Sequence, residues 1–389
     1  MLFCRQPIFE ARMRVWGYEL AASSGPLPGL EDGLSPSLPH LAPGKALWLR
    51  VTPAFLREVP PGLLPPAPVI LEIPAEDARA LEGGEVLQTW TRAGHRLASL
   101  WTGAPTDKIP LPAGTALVKV DFPRLPAPER EQVFSWAARQ RLQVVAARLE
   151  SLQHFREAVA AGCAYAQGSF YRRREEGSAS PARRFAVNYV TILNELGQTP
   201  LNFPRFAALI QSNPPLVHRL LHYLNSAFFG LPCRVHSVEQ ALLLLGEEEL
   251  RKWAALVIIH HLGEAHPEEL FLLSLIRARL AERLGAAAGL GSGAGLFLAG
   301  LLSLLDLYLG MPLEELLAEM PLSPLIREIL LGVPGPSRQV LELILALEDM
   351  AWGQARQLAR GLNLSEEAIT AAYLEALEST EASRSLWLT

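Results

Sequence analysis

From residue 1 to about 170, apolar positions come in short runs set between helical or Pro/Gly-rich stretches. The runs FCRQPIF, RVWGYEL, ALWLRVT, PVILEI, HRLASLW, ALVKVDF, LQVVAA and AYAQG are rich in β-branched and aromatic residues and predict strands. Residues 75–93, 128–139 and 151–161 predict helices between several of them. Strands alternating with helices imply βα units and a parallel sheet. Eight such runs suit a closed βα barrel, whose functional groups stand at the carboxyl ends of the strands. The segment SSGPLPGLEDGLSPSLPHLAPGK, residues 23–45, breaks the alternation. Proline lacks an amide donor and glycine is costly inside a helix, so an irregular loop and an incomplete or distorted barrel are expected there.

After about residue 185 the apolar spacing becomes three and four throughout. PRFAALIQSNPPLVHRLLHYLNSAFFG is broken at Asn213-Pro214-Pro215, where proline suits the first turn of a new helix. VEQALLLLGEEELRKWAALVIIHHL, ELFLLSLIRARLAERLG, AGLFLAGLLSLLDLYLG and the segments beyond them continue the pattern, which predicts an all-α domain. Between the halves, YRRREEGSASPARR (Tyr171 to Arg184) has the charge, Gly/Ser and proline content of a linker. The predicted division is 1–175 for the barrel, 176–186 for the linker and 187–389 for the helical domain.

With 389 residues, half of them hydrophobic, each domain can bury a full core. A net charge of −5 supplies no global attraction for nucleic acid or anionic lipid. Arg172, Arg173 and Arg174 are followed by Glu175 and Glu176 and lack interleaved aromatics beyond Tyr171, so no nucleic acid is expected as a partner. Cys4, Cys163 and Cys233 fit no zinc spacing and suit a reducing compartment. No run reaches the ~20 apolar residues that cross a bilayer, and no signal peptide pattern opens the chain, so a cytoplasmic protein is expected.

The opening run from Gln6 to Ala21, with Gly17-Tyr18-Glu19-Leu20-Ala21 at its end, resembles the start of cyclic di-GMP phosphodiesterases of the EAL family. The resemblance extends over the N-terminal half. It implies that Glu19, Arg50, Glu72, Lys119, Glu150 and Gln167 occupy positions of that family's site, with Arg50 replacing a metal-binding asparagine. Leu100 and Trp101 stand where the family carries two aspartates, and Ala147 where it carries a glutamate. That enzyme holds two divalent ions ~3.5–4 Å apart within a cage of anionic oxygens. The surviving set is too small for such a cage, so no catalytic residue, metal or cofactor is assigned. Two readings fit the survivors: a partly buried ion network in which Glu19 and Glu72 pair with Arg50 and Lys119, or a residual nucleotide or anion site.

LNSAFFGLPCRVHSVEQALLLLGEEELRKW, residues 224–253, resembles the signature of HDOD domains, relatives of the HD phosphohydrolases, through Asn225, Ser226, Ala227 and Gly246. An HD hydrolase needs adjacent His and Asp as metal ligands. None of the nine histidines is followed by aspartate, and Ser303-Leu304 stands at the family's His-Asp in FLAGLLSLLDLYLG. His218 and His222 read as helix-surface residues, His260-His261 as a cationic helix cap, and Asn225 as a helix-terminal residue bonding nearby backbone.

The order of motifs resembles the bacterial EAL-HDOD signal-transduction family: a degenerate EAL-type βα barrel followed by an all-helical HDOD domain. The resemblance implies a non-catalytic regulatory protein acting through protein partners. The alternatives are a residual cyclic di-GMP sensor or weak metal-dependent phosphodiesterase, and a nucleic-acid-associated regulator. A homodimer is left open.

Overall fold

The computed structural model describes residues 1–23, 41–64, 68–74, 77, 80–81, 84–101, 111–174, 201–225, 234–291, 293–320 and 322–387. The chain divides into two compact units, one of residues 1–175 with 347–352 and one of residues 176–346 with 353–389.

In the first unit, strands β1 (Phe3–Phe9), β2 (Val15–Ala22), β3 (Ala46–Arg50), β4 (Val69–Pro74), β5 (Arg96–Trp101), β6 (Thr115–Asp121), β7 (Gln143–Leu149) and β8 (Tyr165–Gly168) form a closed barrel in chain order. Each strand falls on one of the runs singled out in the sequence. Helices α1 (Pro53–Glu58), α2 (Glu85–Arg92), α3 (Ala127–Arg139) and α4 (Leu152–Ala160) lie between strands. The sheet is closed, contrary to the incomplete or distorted barrel expected at residues 23–45, most of which lie outside the described residues.

Nor is the sheet wholly parallel: β1 is antiparallel to both β2 and β8. Residues 10–14 are too few for a crossover, which takes a dozen or more, so the chain turns back in a hairpin. Met13, at φ 58°, donates its amide to Glu10 O at 2.9 Å within that turn.

Alternation along the strands sorts the side chains. Ile8, Ala46, Trp48, Ile70, Ala98, Leu117 and Val145 form one apolar cluster. Val118, Val120 and Trp101 join a second with Val133, Trp136 and Ala137 of α3. Leu117 and Val118 therefore face opposite sides of the sheet, as the pleat requires. Two residues beyond Trp48, Ile70 and Leu117, on the same side, stand Arg50, Glu72 and Lys119. A sequence pattern of apolar, any, charged at three strand ends thus delivers charge to one level of the barrel.

The second unit is helical: α5 (Phe203–Gln211), α6 (Pro214–Leu224), α7 (Val238–Leu262), α8 (Glu268–Ala287), α9 (Gly293–Leu302), α10 (Leu305–Leu309), α11 (Leu313–Glu319), α12 (Pro324–Leu330), α13 (Pro336–Glu348), α14 (Trp352–Gly361) and α15 (Glu366–Trp387). The last residues of α13 and the first of α14 belong to the first unit. Helix α8 buries residues on every face, as a central helix does. It packs closely on α9, where a Cβ on Gly300 would stand 2.6 Å from Arg277 O. Among the described residues no helix is long and apolar enough to cross a membrane.

The sequence suggests one core helix over Phe297 to Gly310, but the structure breaks it at Ser303-Leu304. Ser303 Oγ donates to Gly300 O at 2.7 Å and accepts from Arg277 Nη1 at 2.9 Å. The hydroxyl competes with the backbone ladder at that point.

Candidate functional site

Glu19 on β2, Arg50 on β3, Glu72 on β4, Lys119 on β6 and Gln167 on β8 converge inside the barrel. Strand register brings them together: Glu19 is opposite Trp48, Arg50 opposite Glu72, and Lys119 opposite Leu100. Lys119 Nζ lies between the two carboxylates, 2.6 Å from Glu19 Oε2 and 3.2 Å from Glu72 Oε2. Arg50 Nε donates to Glu72 Oε1 at 2.7 Å, and Trp48 Nε1 to Glu72 Oε2 at 2.8 Å. Gln167 Nε2 donates to Glu19 Oε2 at 2.5 Å.

Glu72 is fully buried at 0% exposure, so an unpaired charge there would be very costly. Burial alone would raise its pKa, but Lys119 and Arg50 outweigh that and hold the carboxyl below its ordinary range. Burial likewise opposes the Lys119 ammonium, yet Glu19 and Glu72 keep its pKa above the ordinary value. Two carboxylates face one ammonium and one guanidinium, and their formal charges cancel.

This arrangement does not fit a pair of divalent ions. Such a pair needs an excess of anionic oxygen. Here both oxygens of Glu72 already accept hydrogen bonds, and an ammonium fills the space between the carboxylates. Among the described residues no group of three or more His, Cys, Asp or Glu could hold a metal ion. The two positions matched to the paired aspartates are apolar: Leu100 is the register partner of Lys119, and Trp101 packs edge-on to Trp136 at 4.9 Å.

The structure does not bring Glu150 to this cluster. Its side chain is 63% exposed and lies 3.8 Å from Arg173 Nη1. Just before Glu150, β7 carries a bulge, where the register shifts between Ala146 and Leu149 and Arg148 takes φ 59°. Sequence reasoning passed over Trp48, although its place two residues before Arg50 puts both on one face of β3. Arg172, at the start of the linker-like stretch but inside the predicted barrel bounds, pairs within the first unit with Glu348 at 2.9 Å and Asp349 at 2.7 Å.

In the helical unit, Asn225 caps α6 and clasps Val235, donating from Nδ2 to its carbonyl at 2.9 Å and accepting its amide on Oδ1 at 2.8 Å. Ser226 and Ala227 lie outside the described residues. Gly246 interrupts α7 at φ 69°, ψ 177°, backbone that only glycine adopts readily. Past this break, Glu247 Oε1 accepts from Leu201 N at 3.2 Å and from Arg251 Nη2 at 2.5 Å.

The His218 and His222 rings stack at 6.1 Å on the exposed face of α6. His260 differs from its expected role as a cationic cap. Burial, then the neighbouring Arg219, lower its pKa, and Nδ1 accepts from Arg219 Nη1 at 2.8 Å. It is therefore a neutral acceptor.

Residues 184–315 match the HDOD domain family. Over its length the chain is similar to the uncharacterized protein YuxH of Bacillus subtilis, at 27% identity over 96% of both chains. It is also similar to the cyclic di-GMP phosphodiesterase CdgJ of Vibrio cholerae, at 24% identity over 96% of this chain and 90% of that one. Among solved structures, Klebsiella pneumoniae BlrP1 in its calcium and cyclic di-GMP complex is 20% identical over 44% of this chain, with TM-score 0.37. The chain spans only 55% of BlrP1. The EAL domain of Mycobacterium smegmatis DcpA is 18% identical over 43% of this chain and 89% of that one, with TM-score 0.35. In this chain a closed eight-stranded barrel thus precedes a segment that matches the HDOD domain family.

Proposed function

We propose that the chain is a non-catalytic regulatory protein of bacterial cyclic di-GMP signalling, acting in the cytoplasm through contacts with protein partners. The observation that carries this reading is the Lys119 ammonium between Glu19 and Glu72, with Arg50 on the remaining oxygen of Glu72. A hydrolase of the family it resembles would need metal cations where these fixed cations stand. The charges left in the barrel neutralise one another, so the scaffold keeps its fold and gives up the chemistry.

The test is incubation of the full chain with cyclic di-GMP and manganese or magnesium, with the linear dinucleotide as readout. No product above a protein-free control is expected. Metal-dependent product that disappears with chelator would overturn the reading.

A second reading, a cyclic di-GMP sensor, is favoured by Arg50, whose side chain remains 40% exposed while bonded to Glu72. Calorimetry of the full chain decides it. Saturable heat at micromolar nucleotide supports the sensor, and flat heats at high micromolar nucleotide remove it.

A further inference from the structure

His260 stands at a junction of four helices in the second unit. It lies in the last turn of α7, and its Nδ1 receives Arg219 Nη1 of α6 at 2.8 Å. Its ring meets Phe271 of α8 edge-on at 5.3 Å and the Trp387 ring of α15 at 6.3 Å. The backbone of Trp387 also hydrogen-bonds to it. A guanidinium has five donors and no acceptor, so Nδ1 must offer its lone pair. The proton then resides on Nε2, which is left to donate to the Trp387 carbonyl. A neutral ring satisfies α6 with one nitrogen and α15 with the other.

Protonation removes one of these ties. Imidazolium has no acceptor, so Nδ1–H would face an Arg219 N–H, cation against cation. We infer that His260 is a proton-operated latch, whose neutral ring joins α6 to the end of α15 and whose protonated ring lets α6 go. This goes beyond the reading of the barrel and does not depend on it.

The surroundings set the direction. Burial opposes the proton first, Arg219 and His261 oppose it as like charges, and Glu264 on the short turn after α7 favours it. Glu264 is 55% exposed and is shared with His261 Nδ1 at 2.8 Å. With the folded pKa below the ordinary histidine value of 6.5, the latch is fully made above pH 6.5 and is lost as the pH falls through the lowered value. Arg384 holds the same end of α15 to Glu268 of α8. Release is thereby confined to the α6 side.

The experiment is hydrogen exchange on the full chain at pH 7.5 and 5.5, corrected for intrinsic rates, reading residues 216–224 and 380–387. Protection of residues 216–224 should fall at the lower pH, by at most about tenfold because pH 5.5 lies one unit below the ordinary histidine pKa of 6.5, while that of residues 380–387 should hold. His260→Gln keeps one acceptor and one donor but cannot titrate, and its protection should be equal at the two pH values. Arg219→Gln, whose amide can turn to accept from Nδ1–H, should lose the part of the pH response that Arg219 sets and keep the part due to burial, which keeps the test decisive if His260→Gln fails to fold. Equal protection at both pH values in the unaltered chain would overturn the latch. So would an unchanged pH response in either variant, since the other histidines remain in both.

Discussion

Arg50 Nε lies 2.7 Å from Glu72 Oε1, between strands that hold the two residues directly in register. Arg50 is partly in solvent whereas Glu72 is not, so the pair falls between a surface ion pair and a buried one. Arg50→Ala should cost about 1–2 kcal/mol, because Lys119 and Trp48 still serve the carboxylate. Urea unfolding of the full chain, followed by a probe of the barrel, measures it.

Lys119→Met removes the charge shared by Glu19 and Glu72 and should cost about 3–5 kcal/mol near neutral pH. The pH dependence separates a lost charge from lost packing. In the native chain the lowered pKa of Glu72 supplies stability that is present above the ordinary carboxylate value of 4.5 and lost as the pH falls through the folded value. Without Lys119 the buried Glu72 carboxyl is pulled towards its neutral form, so the variant's deficit should shrink as the pH drops from 7 towards 4. A constant deficit in acid melts would speak against the charge network.

Gly246→Ala should destabilise the helical unit by about 1–3 kcal/mol through backbone strain alone. A Cβ there meets nothing within 4 Å, so crowding contributes nothing. Gly246→Ser should therefore cost much the same as Gly246→Ala, a comparison that thermal melts of both variants make directly.

Asn225→Ala gives up both hydrogen bonds to Val235 and should cost about 1–2 kcal/mol. Asn225→Asp keeps the acceptor for Val235 N but sets a carboxylate oxygen against Val235 O, so a loss at least as large is expected. Denaturant melts rank the three proteins.

The eight strands were legible because buried strands need continuous or alternating apolar residues, and the runs carry them. The pairing of β1 was not, since its direction depends on the hairpin at residues 10–14 and on a partner, β8, at the far end of the barrel sequence. Glu19, Arg50, Glu72, Lys119 and Gln167 could be named from motif positions, and their convergence follows from strand register. Glu150 could not be placed, because it follows a strand end whose register is broken by an arginine at positive φ, where sequence would suggest glycine. His260 was misread for a similar reason: its helix-end position suggested a cation, while Arg219, 41 residues earlier, makes it an acceptor.

The β1–β8 seam is held by two register pairs, Ile8 with Gln167 and Phe9 with Ala166, fewer than at any other strand boundary described. Local opening of the barrel would begin there. Gln167 sits in that seam and also donates to Glu19, so parting these two strands would strip a partner from the buried carboxylate. Barrel closure therefore completes the hydrogen bonding of the same carboxylate that Lys119 neutralises.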